Sequence, residues 1–345
     1  MNRPRKHRHI ILVSLALLLY WSMTSAPAAA QTRIRLATLL PQGSSQYQVL
    51  EKMGQDWRTA TTGGVALTIY GGGAMGSEED SVRRMRIGQL QAATLSVAGL
   101  SAIDPSVGAL QKIPMVYRSL EEEEYVRNKM SAEMESRLEQ KGFVVLFWAD
   151  AGWVQIFSRQ PISGPEDIKK TKVFVTADDI NEAELIKTLQ IQPVPLEWTD
   201  VLVSLQTGLV DVIPTTPFLC LAAQYDLAAK HLLQLNYVTL VGATVVTKRA
   251  WDALTPSQRD AMRAAALEAG KQMQIRSRAE SGQAIEAMKK RGLQVHPVPP
   301  ELEAQWRKFL EGVYPKIRGT LVPADVFDEI QDLLAAYRAG QKTGR

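Results

Sequence analysis

The stretch from Thr255 to Arg291 constrains this chain more than any other, because it reads as one helix too long for a single lobe. Thr255 stands as an N-cap, Pro256 takes the first helical position, Gln258 completes a capping box, and Gly292 supplies a stop. About 36 residues rising 1.5 Å each make a rod of roughly 54 Å, more than the width of one lobe. An unbroken rod must lie across two lobes and brace them. The alternative is two shorter helices broken at Gly270 or Gly282, although a glycine within a helix costs only about 1 kcal/mol.

The remaining chain supplies two lobes in the same grammar. "IRLATLL" (34–40) and "VALTIYG" (65–71) bracket a helical "YQVLEKMGQDWRTATT", and "EEDSVRRMRIGQL" leads into "QAATLSVAG" (91–99). Strand and helix alternate as in an α/β lobe with a mostly parallel sheet. A second run starts at "GFVVLFWADAGWVQIFS" (142–158), passes "TKVFVT" and the helix "INEAELIKTLQ", and reaches "VDVIPTTP" (210–217). The expected division is residues 31–152 with 245–282 in lobe I and 153–244 with 283–340 in lobe II. The long helix, about 256–291, is shared between them.

Residues 1–30 stand apart. "MNRPRKHRH" is basic, "IILVSLALLLYWSM" is apolar, and Ala28 and Ala30 form an A-x-A cut site, so the segment reads as a signal peptide that leaves Gln31 first. The competing reading, a membrane anchor, falls short of the ~20 apolar residues that a span requires. Losing Arg3, Arg5, Lys6 and Arg8 takes the formal charge from +4 to zero, which removes the main support for nucleic-acid binding. The lone cysteine, Cys220, makes no internal disulfide, and an exported chain of this kind suits the periplasm.

No catalytic constellation is evident. Outside the leader only His231 and His296 remain, and no H-E-x-x-H, G-x-S-x-G or G-x-x-x-x-G-K pattern occurs. "YGGGAMG" (70–76) reads as a strand-ending turn, and "EEEE" (121–124) as the acidic first turn of a helix. Asp150, Glu197 and Asp200 are not paired with a base by anything in the sequence. A binding protein without metal or cofactor is the expected class.

Several stretches together resemble the substrate-binding proteins of TRAP transporters of the dicarboxylate-binding type. They are "YGGGAMGSEED", "ALQKIPMVYRS", "GWVQIFSRQPISGPEDIKKTKVFV", "PVPLEWTDVLVSLQTGLVDV" and "VVTKRAWDALTPSQRDAM", in order and in spacing. The resemblance implies a periplasmic receptor of the type II-like binding-protein fold, with two α/β lobes, two hinge strands and a long helix spanning both. It also implies partners: the small and large permease subunits of an ion-driven transporter.

Three departures bear on the ligand. The family reads G-F-R where this chain has "GWV", so Val154 replaces an arginine; Trp153 precedes it. It reads K-I-R-V where this chain has "KVFV", so Phe174 replaces the arginine that grips a carboxylate in most members. It reads D-G-x-E-N-P where this chain has "DVIPTTP", which puts Thr215 and Thr216 at ligand-side positions. An ionised carboxylate left in a closed cleft without a partner costs several kcal/mol. The expected lining is therefore Trp153, Phe174, Trp198 and Phe218, with hydroxyls from Thr176, Thr215 and Thr216. Gln46, Glu78 and Ser96 are the candidate polar contacts from the first lobe. Such a lining favours a small neutral or largely apolar, amphipathic ligand. Two alternatives stay open: an organic acid anchored by Lys172, which shares a strand face with Phe174, and a sensor that reports ligand to a membrane kinase.

Overall fold

The computed structural model describes residues 31–177 and 179–343, so the leader reading concerns residues outside those described. Strands β1 (Thr32–Thr38), β2 (Val65–Tyr70) and β3 (Ala92–Ser96) alternate with helices α1 (Ser45–Ala60) and α2 (Glu78–Arg86), and β1 runs parallel to both of its neighbours. Helices α3 (Val97–Ser101) and α4 (Leu120–Gln140) lead into β4 (Phe143–Ser158). The pattern then repeats as α5 (Pro165–Ile168), β5 (Lys172–Thr176), α6 (Ile180–Thr188), β6 (Gln192–Leu196), α7 (Val201–Thr207), β7 (Val212–Thr215) and α8 (Pro217–Ala222). After β8 (His231–Thr247) come α9 (Lys248–Asp252), α10 (Pro256–Lys289), β9 (Gln294–His296), α11 (Pro300–Glu311), α12 (Tyr314–Ile317) and α13 (Ala324–Thr343).

One continuous sheet of order β2-β1-β3-β8-β4-β7-β5-β6 results, with β9 on β8. The two halves are joined because β4 and β8, of 16 and 17 residues, pair antiparallel along their lengths. β8 takes β3 through Gly242–Val246 near one end and β9 through His231–Leu233 at the other, while β4 takes β7 through Gln155–Ser158. These are the two hinge strands. Their register slips between Val145 and Phe147, between Asp150 and Trp153, and between Val154 and Ile156. Such slips bend the pair and re-aim its side chains at the junction. At Gly242 a Cβ would lie 2.5 Å from the Leu95 carbonyl oxygen, so only glycine lets β3 come this close.

The rod is a single helix of 34 residues, begun by the Thr255–Gln258 capping box. Met262, Ala266, Ala269 and Met273 pack into the first half with Trp57 and Leu146, while Ala284 and Met288 pack into the second with Phe157 and Ile213. Gly270 does not break it. A Cβ there would meet the Phe147 ring at 2.8 Å, so the glycine lets the helix lie directly on β4.

The C-terminal stretch departs from the expected division. Trp306 and Leu310 pack in the second half, but Val313, Ile317, Val326, Phe327, Ile330 and Leu334 join the first-half core beside Val126, Met130 and Leu138 of α4. The apolar stripe of α13 needs a partner, and α4 offers one. Arg338 secures the return by donating to Glu122 Oε1 at 2.7 Å and to the Val116 carbonyl at 2.8 Å. No helix among the described residues is long and apolar enough to cross a membrane.

Candidate functional site

Ligands of open α/β sheets bind beyond the carboxyl ends of the strands. In this chain those ends converge on the β4–β8 junction from both sides. From the first half come Thr38 and Leu39 after β1, the glycine turn after β2, and Thr94 in β3, which with Met75 and Glu78 line a recess. From the second half come Thr176 ending β5, Trp198 after β6, Thr215 ending β7 and Thr216 just beyond it. The halves face each other closely, since a methyl group on Gly73 would lie 3.9 Å from Thr199 Cγ2.

The predicted first-half contacts are held by the protein itself. The Glu78 carboxylate accepts from Ser96 N at 2.7 Å, Ser96 Oγ at 2.5 Å and Gly99 N at 3.0 Å, which stitches α2 to the start of α3. Gln46 is buried and donates to Ser277 Oγ at 3.1 Å, tying α1 to the rod. Neither residue offers the open polar group that the sequence suggested.

In the second half, Phe174 is buried in the core with Phe157 and Ile213 and meets Trp198 edge-on, ring centroids 4.8 Å apart. Val154 is buried, and Trp153, half-buried, packs against the first-half core. Thr216 Oγ1 caps α8 by accepting from Leu219 N at 3.3 Å, with Phe218 in the first turn behind it.

Lys172 is not brought to the cleft. It opens β5, whereas the cleft lies past Thr176, four residues and about 13 Å along the strand. Its ammonium donates to the Gly208 carbonyl and stands 4.0 Å from Asp211 Oδ2, whose carboxylate also accepts from Lys172 N at 3.1 Å. Alternation was read correctly, but strand direction carries the lysine to the wrong end.

Sequence reasoning named Thr215 but missed two further polar residues at the junction, Gln155 and Thr239. Gln155 opposes Thr215 across β4 and β7, and Trp153, two residues earlier, opposes Thr239 on β8. Directly opposed residues of antiparallel strands share a face, so Gln155 and Thr215 fall together with Phe157 and Ile213, while the register slip after Val154 leaves Thr239, which alternates with Val241 and Ala243, on the opposite face of the sheet. Gln155, Thr215 and Thr239 are 8 %, 2 % and 0 % exposed. Gln155 Oε1, Thr215 Oγ1 and Thr239 Oγ1 have no hydrogen-bond partner in the protein, while Gln155 Nε2 donates to Asn236 Oδ1 at 3.1 Å. Buried polar atoms are rarely left so, and the directly opposed pair Gln155 and Thr215 marks a place built to meet polar groups from outside the chain. A Gln alternating with Trp153 and Phe157 was the only signal available.

A charged cluster lies beside them. Asp150 Oδ1 accepts from Gly152 N at 3.2 Å and Arg278 Nε at 3.1 Å, and Oδ2 from Arg278 Nη2 and Gln274 Nε2, each at 2.8 Å. Arg278 also reaches Glu124, and Arg127 Nε donates to Glu123 Oε1 at 2.8 Å. Burial lifts the Glu123 carboxyl to about 7 against the pull of Arg127, and Asp150 adds to the rise. This cluster fastens the rod and α4 to the hinge. Elsewhere, His231 Nδ1 lies 3.0 Å from His296 Nε2 at the outer end of β8, and burial followed by His296 lowers the His231 pKa. Among the described residues no group of three or more His, Cys, Asp or Glu side chains could hold a metal.

Comparison with known proteins agrees with this architecture. The model of the family described as bacterial extracellular solute-binding protein, family 7, matches residues 36–319. The C4-dicarboxylate-binding periplasmic protein DctP of Rhodobacter capsulatus is 24 % identical over 256 residues, covering 74 % of this chain and 77 % of that one. A TRAP periplasmic solute-binding protein from Ralstonia eutropha H16, solved with bound (S)-2-acetolactate, superposes with a TM-score of 0.82 at 21 % identity, covering 89 % of this chain and 99 % of the other. One from Fusobacterium nucleatum, solved with bound sn-glycerol-3-phosphate, also gives 0.82 at 21 % identity over 91 % and 100 % of the two chains.

Proposed function

The chain belongs to the bacterial extracellular solute-binding proteins of family 7, and from that premise we propose that it is the periplasmic receptor of a TRAP-type transporter for a small neutral or amphipathic molecule. The cleft takes this solute between its halves, and the small and large permease subunits receive it. The observation that carries the ligand class is the pair of uncharged, unpartnered atoms on Gln155 and Thr215, on the sheet face that also carries Phe174 and its partner Trp198. Gln155 Oε1 can only accept, so it asks for a hydroxyl or amide donor; the Thr215 hydroxyl can donate or accept. A carboxylate would find no cation among these groups, and enclosing it would cost several kcal/mol. The relatives solved with acetolactate and glycerol-3-phosphate hold anions, and on this proposal the chain is a receptor of their fold with a different preference.

Two measurements test the reading. Mass spectrometry of the compound retained by protein purified from the periplasm should show a neutral molecule bearing at least one hydroxyl or amide. Calorimetry with succinate and with glycerol 3-phosphate should give no heat of binding. Micromolar affinity for either anion would overturn the neutral preference.

A further inference from the structure

We propose that the outer end of the first half is a docking surface for anionic phospholipid, built from four arginines around the turn at Gly88. Strands β1 and β3 point their carboxyl ends at the cleft, so the start of β1, the turn before β3 and α9, which follows β8, lie at the opposite end. Arg35 Nε donates to Gln91 Oε1 at 3.1 Å, and its Nη2 donates to the Gly88 carbonyl at 3.2 Å. Arg249 Nη2 fills the space that a side chain on Gly88 would need. Arg84 Nη1 donates to Gln89 Oε1 at 3.2 Å and Arg86 Nη2 to the Ala102 carbonyl at 2.9 Å. All of these acceptors are neutral, and the acids Asp80, Glu139 and Asp252 of the flanking helices are taken by Arg83 and Lys248. The outer end of the second half is built the other way: Arg159 and Lys172 both stand at Asp211, and Lys169 pairs with Glu166. A helix C-terminus draws a cation, and one would suffice for the last turn of α2; four exceed that need. Without residues 1–30 the chain is formally neutral, so the excess is local. At the tip of the turn Ile87 is 64 % exposed. An apolar tip within a basic ring suits the boundary between headgroups and acyl chains, where guanidiniums take the phosphates and the apolar side chain enters the layer below. At this same end the segment read as a leader passes into β1, which sets it against the membrane during export. A receptor docked this way waits beside its permease with its cleft turned away from the bilayer. The inference rests on the reading of the chain as a periplasmic receptor, but not on the identity of its solute.

Vesicle flotation with protein purified from the periplasm tests the surface directly. Vesicles of equal parts phosphatidylglycerol and phosphatidylcholine should bind the protein at low salt, pure phosphatidylcholine should not, and added salt should release it. Arg35→Gln and Arg249→Gln should each weaken binding about fivefold, and the double variant about 25-fold. Ile87→Ser should weaken it about tenfold. Arg249→Lys should bind like the wild type, because the surface reads charge, and Arg159→Gln at the outer end of the second half should change nothing. Thermal melting verifies that each variant is folded. Wild-type protein that ignores the anionic vesicles would overturn the proposal, as would a folded double variant that binds as well as the wild type. Displacement by inorganic phosphate at constant ionic strength would reveal a site for a single free anion instead of a surface, and would overturn it too. Because no solute takes part, failure here leaves the neutral-ligand reading standing, and calorimetric success with an anion leaves the docking surface standing.

Discussion

Two buried polar clusters sit five residues apart on β4, and they are built on opposite principles. Around Asp150 both carboxylate oxygens are filled, by Arg278, Gln274 and the Gly152 amide, and the groups carry full charge. Around Gln155 the groups are neutral, and Gln155 Oε1 and Thr215 Oγ1 are left without a partner. Breaking a satisfied buried charge is strongly destabilising, whereas an unsatisfied neutral group already costs the folded protein its desolvation. The first cluster is thus a fastening, linking hinge strand, rod and α4. The second is a set of contacts held ready, and a partner from outside would complete it.

The contrast breaks most sharply at Asp150. Asp150→Ala strands Arg278 and should lower unfolding stability by about 3–5 kcal/mol in a denaturant titration. A loss under 1 kcal/mol would mean that the cluster is not a fastening. Next comes Glu123, whose carboxyl is raised to about 7 from an ordinary 4.5. A raised acid contributes stability that is fully present below its unfolded value and is lost as pH rises through its folded one. Stability should fall between about pH 4.5 and 7 by an amount on the order of 3 kcal/mol from this group. Glu182 titrates in the same sense, so the share due to Glu123 is the difference between the wild-type slope and that of Glu123→Gln. A variant with an undiminished slope would locate the effect elsewhere.

The difference between the clusters also explains which features could be read from the sequence. The rod was legible because its cap, proline and length are local signals, and the alternation of strand and helix was legible because it is periodic. Gly270 looked like a possible break because a sequence does not show the Phe147 ring lying under it. The C-terminal helix showed an apolar stripe but not which core would cover it. At the cleft, alternation correctly placed Lys172 and Phe174 on one face, yet which end of β5 meets the solute depends on strand order across the sheet. Gln155 and Thr239 were illegible for the same reason. Each stands in an apolar run as a single polar letter, and only the pairing of β4 with β7 and β8 shows what each one faces.

The smallest effect offers the finest test, and it lies within one strand. Thr239 and Thr244 are both fully buried on β8. The Thr244 hydroxyl meets Thr94 Oγ1 at 2.8 Å, while the Thr239 hydroxyl has no partner. Valine keeps nearly the same shape and removes the oxygen. Thr244→Val should therefore lose a hydrogen bond and about 1 kcal/mol, leaving Thr94 unpaired. Thr239→Val removes only an unmet desolvation cost, so the ligand-free protein should hold its stability or gain up to about 1 kcal/mol. Equal losses of stability at the two positions would mean that the Thr239 hydroxyl has a partner of its own and is no less fastened than that of Thr244.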